Sequence, residues 1–136
     1  MTAGYSGTPL AAKLGIKNGC RVVLIDAPDG FEAILGPLST GVEICREPRA
    51  EADMVHLFAN TRDGLFCGVA AAKKLIKQNG AIWVSWYKKA SKRPSEVTED
   101  LVREAAFPLG LVDVKVCAVD ENWSGLKLVI RRENRV

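Results

Sequence analysis

The stretch WVSWYKKASKRPSE, residues 83–96, passes from an aromatic, apolar run into Lys88, Lys89, Lys92 and Arg93 before any acidic residue appears. Lysines just past an apolar strand can hold a phosphate or carboxylate, and Lys88 could act as a base if neighbours lowered its pKa. As readily, both are solvated loop charges paired with nearby acids. Asp26 and Asp29 follow a second apolar run and could work as acid and base, although Asp29 also stands where a helix cap belongs. Asn60, Thr61 and Arg62 follow a third run. There Arg62, beside a helix start, could join backbone donors in binding an anion or be a first-turn surface residue.

Other chemistry-bearing residues point less clearly to a reaction. His56 sits inside an apolar strand, where a histidine is a core residue more often than a ligand. Trp83, Trp86 and Trp123 lie on or beside strands; large rings pack there, yet Trp86 and Trp123 could wall a pocket at the rim. Ser85, Ser91 and Ser124 have no adjacent histidine, and Ser85 lacks the G-x-S-x-G elbow that exposes a hydrolase nucleophile. Cys20, Cys45, Cys67 and Cys117 are far apart, without a C-x-x-C pair, so buried free thiols are expected and no metal site.

The elements that would position these residues belong to one domain of 136 residues. Apolar residues make up 48% and charged residues 26%, an ordinary globular balance, and the net charge of +3 is too small to imply a polyanionic partner by itself. MTAGYSGTPLAAKLG lacks a basic start followed by a long apolar run, and nowhere do eighteen apolar residues occur together. A cytoplasmic location and no membrane contact are therefore expected.

Thr8-Pro9 opens a short first helix that Gly15 ends. RVVLID, residues 21–26, reads as a strand covered on both faces. A turn follows, with Asp29 able to cap a helix over residues 31–35, and then a short strand over 42–45. MVHLFA, residues 54–59, is the next strand; Thr61 and Asp63 open a helix whose Leu65, Val69, Ala72 and Ile76 recur at helical spacing until Gly80. Residues 81–86 make a strand, a helix begins around Thr98 and ends near Pro108, and residues 112–119 and 126–131 form a closing antiparallel hairpin. Strands alternating with helices, and too apolar for a one-sided sheet, predict an α/β three-layer sandwich: about six strands, mostly parallel, with an antiparallel C-terminal edge strand.

That order, with LGIKNGCRVVLID at its start, ADMVHLF and LIKQNGAIWVSW in its middle and GLVDVKVCAVDENWSGLKLVIRR at its end, resembles the methyltransferase variety of the Rossmann-like fold. From YSGTPLAAKLGIKNG to the W-S-G-L-K hairpin the chain also resembles a small bacterial family of uncharacterised proteins. The fold resemblance implies an S-adenosylmethionine site, with a glycine-rich turn after the first strand and an acidic residue after the second to hold ribose hydroxyls. Here the turn is DAPDGFEAIL, with one late glycine and with Pro28, which has no N–H to donate. A strand–helix unit is also missing between Cys45 and Met54. Glu43 or Glu47 could hold a ribose but is more simply a solvated charge.

In open parallel sheets ligands gather beyond the strands' carboxyl ends, where strand order reverses. The resemblance places that point between RVVLID and MVHLFA, so Asp26, Asp29, Asn60, Thr61, Arg62, Trp86, Tyr87, Lys88, Lys89 and Trp123 are the candidate site residues. Three readings follow: a non-catalytic binding or regulatory module for a small anionic ligand or a protein partner, a minimal methyltransferase using S-adenosylmethionine, and a nucleic-acid binder using Lys88, Lys89, Lys92 and Arg93. The altered turn favours the first over the second. Glu96, Glu99 and Asp100, directly after the basic run, weigh against the third. The closing hairpin is the edge through which the chain could pair with a copy of itself as a homodimer.

Overall fold

The computed structural model describes residues 9–135. Its elements, in order, are α1 (Leu10–Leu14), β1 (Arg21–Ile25), α2 (Phe31–Ile34), β2 (Glu43–Cys45), β3 (Ala52–Phe58), α3 (Arg62–Leu75), β4 (Ile76–Tyr87), α4 (Glu99–Ala106), β5 (Leu111–Ala118) and β6 (Trp123–Ile130). Six strands form one sheet in the order β2-β1-β3-β4-β6-β5. The first four are mutually parallel, and β6 runs antiparallel to both of its neighbours. No helix among the described residues is long and apolar enough to cross a membrane.

The sheet is covered on both faces, as continuous apolar strands require. On one face α3 and α4 bring Leu65, Val69, Ala72, Val102 and Ala106 onto Val55, Leu57, Ile82, Val84, Leu126 and Leu128. Burying a Leu or Val side chain contributes about 1.5–3 kcal/mol, so this face supplies much of the folding free energy. On the other, α1 and α2 set Leu10, Leu14, Phe31 and Leu35 against Leu24, Met54, Phe58 and Trp83. The Trp83 indole N–H donates to the Leu14 carbonyl at 2.9 Å, tying the end of α1 to the centre of β4.

The expected three-layer architecture stands, with differences that each have a physical cause. The antiparallel C-terminal strand lies one place in from the edge, between β4 and β5. Leu126, Leu128 and Ile130 are buried there, whereas Val114, Lys115 and Val116 of the true edge strand β5 are exposed. Helix α3 stops at Leu75, not Gly80, because Ile76 already pairs with Ala52. Asp29 does not cap α2: Gly30 holds the cap position at φ 81°, with no side-chain hydrogen bond. Residues 46–51 join β2 to β3 without a helix, so the missing strand–helix unit is indeed missing. Cysteines expected to be buried are not: Cys67 is exposed and Cys20, Cys45 and Cys117 are half-buried, all four as free thiols. Thr8, expected to cap α1, lies outside the described residues.

Candidate functional site

β1 and β3 are neighbours, and the chain leaves β1 toward β2 on one side before returning to β3 on the other. The reversal of strand order therefore falls at their carboxyl ends. Just past β1, Asp26 is exposed in a left-handed backbone conformation, φ 57°, and Asp29 is exposed beside it. The turn they belong to is tied down from β2. Arg46, the first residue after that strand, donates to the carbonyls of Ala27 and Pro28, both at 3.0 Å, and to both carboxylate oxygens of Glu32, at 2.8 and 2.9 Å. The Arg46 hydrogen bonds hold the Glu32 carboxyl below the ordinary carboxylate range.

This turn does not fit the cofactor grip that the fold resemblance implies. Where an acid would accept ribose hydroxyls stands a cation, and its guanidinium is already occupied by the turn's own carbonyls. Pro28 removes one backbone donor and Gly30 is the turn's only glycine. Glu43 cannot substitute, because it pairs in register with Arg21 at the amino end of β1 and is ion-paired to it at 3.0 Å. Glu47 is exposed just beyond Arg46.

Asn60, Thr61 and Arg62 shape the rim without facing an open cavity. The Asn60 side-chain oxygen accepts the Tyr87 N–H at 2.8 Å, and its carbonyl accepts the Glu96 N–H at 2.8 Å. The Thr61 hydroxyl caps α3 by accepting from Gly64 N–H at 3.0 Å. The Arg62 N–H donates to the Glu96 carboxylate at 2.7 Å, while its guanidinium lies over the Phe66 ring and 3.7 Å from Glu104. Together they strap the segment before α4 onto the end of β3.

That strap and the end of β4 enclose an open cleft of about 370 Å³. Trp86 and Val97 give it an apolar floor, and Ser95, Thr98 and Ser124 border it with hydroxyls. Lys88, Lys89 and Arg93 converge on it, with the Arg93 guanidinium 5.4 Å from the centroid of the Tyr87 ring. Among the described residues no carboxylate lies within 4.0 Å of these three cations. The acids that follow in sequence are engaged elsewhere: Glu96 with the Arg62 N–H, and Glu99 and Asp100 with Arg103 at 3.2 and 2.9 Å. Of the candidate residues, Trp86, Tyr87, Lys88 and Lys89 come together here; Asp26, Asp29, Asn60, Thr61 and Arg62 do not line the cleft. Trp123 lies behind Tyr87, ring to ring at 4.4 Å, and supports the wall from within. Arg93, read from the sequence only as part of a nucleic-acid grip, and Ser95, Thr98 and Ser124 reach the cleft only by the path of the strap and of β6.

A polar pair in the core also escapes sequence reading. His56 on β3 and Ser85 on β4 share a hydrogen bond of 2.7 Å between Nε2 and Oγ, and both are fully buried. Phe58 stacks on the imidazole at 4.3 Å and Phe31 meets it edge-on at 5.1 Å. Nδ1 has no partner, and burial lowers the histidine pKa to about 3. With no carboxylate on Nδ1 and no solvent at Ser85, the pair lacks the orientation and access that a nucleophile needs. The clue was present in the sequence: each of two adjacent apolar strands carries one polar residue.

Comparison with known proteins agrees with this fold and supplies a family. Three solved structures are similar over nearly the whole chain. A possible exported protein from Bordetella parapertussis has a TM-score of 0.63 at 10% identity, covering 90% of this chain and 66% of that one, so this chain spans about two-thirds of its length. A TehB-like S-adenosylmethionine-dependent methyltransferase from Corynebacterium glutamicum has a TM-score of 0.59 at 10% identity, covering 95% and 91%. Aeropyrum pernix fibrillarin, in complex with natively bound S-adenosylmethionine, has a TM-score of 0.56 at 14% identity, covering 93% and 70%. Identities this low show a shared fold and nothing further. No curated protein matches the sequence. Residues 38–132 match the model of a family described as a protein of unknown function, DUF3052. The chain thus belongs to the DUF3052 family, and its sheet is a reduced form of the methyltransferase-like Rossmann fold.

Proposed function

We propose that the chain is a non-catalytic binding module that takes a small anionic ligand at the carboxyl end of β4. The observation that carries this reading is the convergence of Lys88, Lys89 and Arg93, free of carboxylate partners among the described residues, on one cleft with an apolar floor. Its volume of about 370 Å³ suits a small molecule. The ligand class is a phosphate or carboxylate on a compact apolar body, with the anion among the cations and the body over Trp86 and Val97. Neither histidine nor cysteine lines the cleft, and its carboxylate, Glu99, is bound by Arg103, which supports binding over proton transfer. The methyltransferase reading draws on fold likeness alone and meets the Arg46 clamp at the cofactor turn.

A thermal-shift screen of inorganic phosphate, mononucleotides, aromatic carboxylates and S-adenosylmethionine tests the reading. A ligand at a hundred times its Kd stabilises by about 2.7 kcal/mol, which for this size raises Tm by roughly 10 °C. We expect that response from an anion of the stated class, and its loss in Lys89→Glu/Arg93→Glu, whose unliganded Tm changes little because both residues are on the surface. Stabilisation by S-adenosylmethionine at micromolar concentration, unaltered in that variant, would replace this reading with the methyltransferase one.

A further inference from the structure

We propose that Ser95 is a phosphorylation site whose phosphate closes onto the cleft's own cations, so that a serine kinase regulates the cleft by filling it. The proposal rests on the reading of the cleft as an anion site. Ser95 borders the cleft together with Lys88, Lys89 and Arg93. Of the described residues that line it, Glu99 is the one carboxylate, bound by Arg103, so the three cations leave an excess of two positive charges. A phosphoserine carries about −1.5 to −2 at pH 7 and three acceptor oxygens, which matches that excess. Glu96, the next residue, does not compete for the cations, because its carboxylate accepts the Arg62 N–H at 2.7 Å.

Ser95 is also the hydroxyl at this rim that a kinase can reach. Its oxygen accepts the Val97 N–H at 3.2 Å, and among the described residues nothing accepts its proton. Residues 93–98 form neither helix nor strand, and the backbone groups of Pro94 and Ser95 make no hydrogen bond among the described residues, so this stretch can enter a kinase as an extended chain. Lys92 and Arg93, both exposed, stand three and two residues before Ser95, the charge pattern that a basophilic kinase selects. Ser91 has a similar lead in Lys88 and Lys89, but its hydroxyl already donates to the Lys88 carbonyl at 2.7 Å and accepts the Arg93 N–H at 3.2 Å. Thr98 caps α4 through the Leu101 N–H and is preceded at those positions by Ser95 and Glu96; Ser124 lies inside the sheet, between Trp86 and Ala118. In the transfer, the Ser95 oxygen bonds to the γ-phosphorus of ATP, the bond from that phosphorus to the β–γ bridging oxygen breaks with its electron pair leaving on ADP, and the hydroxyl proton passes to the kinase's base. A phosphate tethered beside the cations sits at an effective concentration of the order of millimolar and displaces free anions from them.

The test is the whole chain made with genetically encoded phosphoserine at position 95, its phosphate titrated by phosphorus NMR. The second ionisation of a free phosphoserine lies at about 6, and cations within about 4–6 Å lower it by about one pH unit, a tenfold change in the proton equilibrium. We expect that shift in the native chain, its disappearance in denaturing urea, and its loss when the phosphorylated chain also carries Lys89→Glu/Arg93→Glu. The phosphorylated chain should no longer show the thermal response of the unmodified one to inorganic phosphate. With ATP and the catalytic subunit of the cyclic-AMP-dependent kinase, the folded chain should gain one phosphate by mass spectrometry, and Ser95→Ala none. An ordinary ionisation at about 6 in the native chain would overturn the proposal, as would transfer to Ser91, or transfer to a peptide of residues 88–98 but not to the folded chain. If the proposal fails in this way while the unmodified chain still responds to inorganic phosphate, the anion reading stands without it. A phosphate that docks in a chain unresponsive to free anions would keep the proposal and remove the free-ligand reading.

Discussion

Trp83→Ala is expected to lower the unfolding free energy by about 3–5 kcal/mol, a large part of the 5–15 kcal/mol typical of a domain. Trp83 is fully enclosed at the middle of β4, between Leu14 of α1 and the backbone of Gly125 on β6. Its removal opens a cavity in the core beneath α1 and leaves the Leu14 carbonyl without its indole donor. α1 is only five residues long and cannot persist on helix propensity, so the loss spreads to the contacts of Leu10 and Leu14. Denaturant unfolding, followed by the fluorescence of the remaining tryptophans, measures the change. Trp83→Phe separates the two causes, because it keeps most of the ring volume and forfeits the hydrogen bond at about 1–2 kcal/mol. A Trp83→Ala loss below about 1 kcal/mol would mean that α1 does not depend on this contact.

The same residue illustrates what the sequence discloses. The apolar runs at residues 21–26, 54–59 and 81–86 mark β1, β3 and β4 because a doubly covered strand must be apolar throughout, and the spacing of Leu65, Val69 and Ala72 marks α3 for the equivalent helical reason. Tertiary pairing decides what local pattern does not. Ile76 continues the periodicity of α3, yet it pairs with Ala52 and ends the helix. At the rim, the apolar-to-basic break after Tyr87 locates one side of the cleft. The other side depends on Asn60 and Glu96 strapping residues 95–98 into place, contacts across 27 to 36 residues of chain that leave no local trace. Lys115 and Lys127 read singly as solvated strand positions, and only the hairpin register makes them a pair. Arg46 likewise reads as one more surface cation until the turn after β1 folds back over it.

The pH dependence of stability should separate at His56. In the unfolded chain its pKa is near the ordinary 6.5, whereas in the fold burial lowers it to about 3. Between those values the unfolded state binds a proton that the native state does not, so stability falls as pH falls. The contribution is fully present above pH 6.5 and is lost progressively down to about pH 3, at roughly 1.4 kcal/mol per pH unit. The groups packed around the imidazole, Phe31, Phe58 and Ser85, are neutral and provide no charge to offset the proton. His56→Leu removes this linkage while leaving every surface carboxylate in place, so the acid titrations common to both proteins cancel in the difference. The variant should be the less stable at pH 7, because the Ser85 hydroxyl loses its partner at about 1–3 kcal/mol. From pH 7 to pH 4.5 the parent's advantage should shrink by about 2.7 kcal/mol, two pH units of linkage, and so vanish or reverse. Urea unfolding of both proteins at half-unit intervals of pH measures that difference. Parallel curves would mean that folded His56 takes up its proton as readily as the unfolded chain, which its unpartnered Nδ1 and its aromatic enclosure oppose.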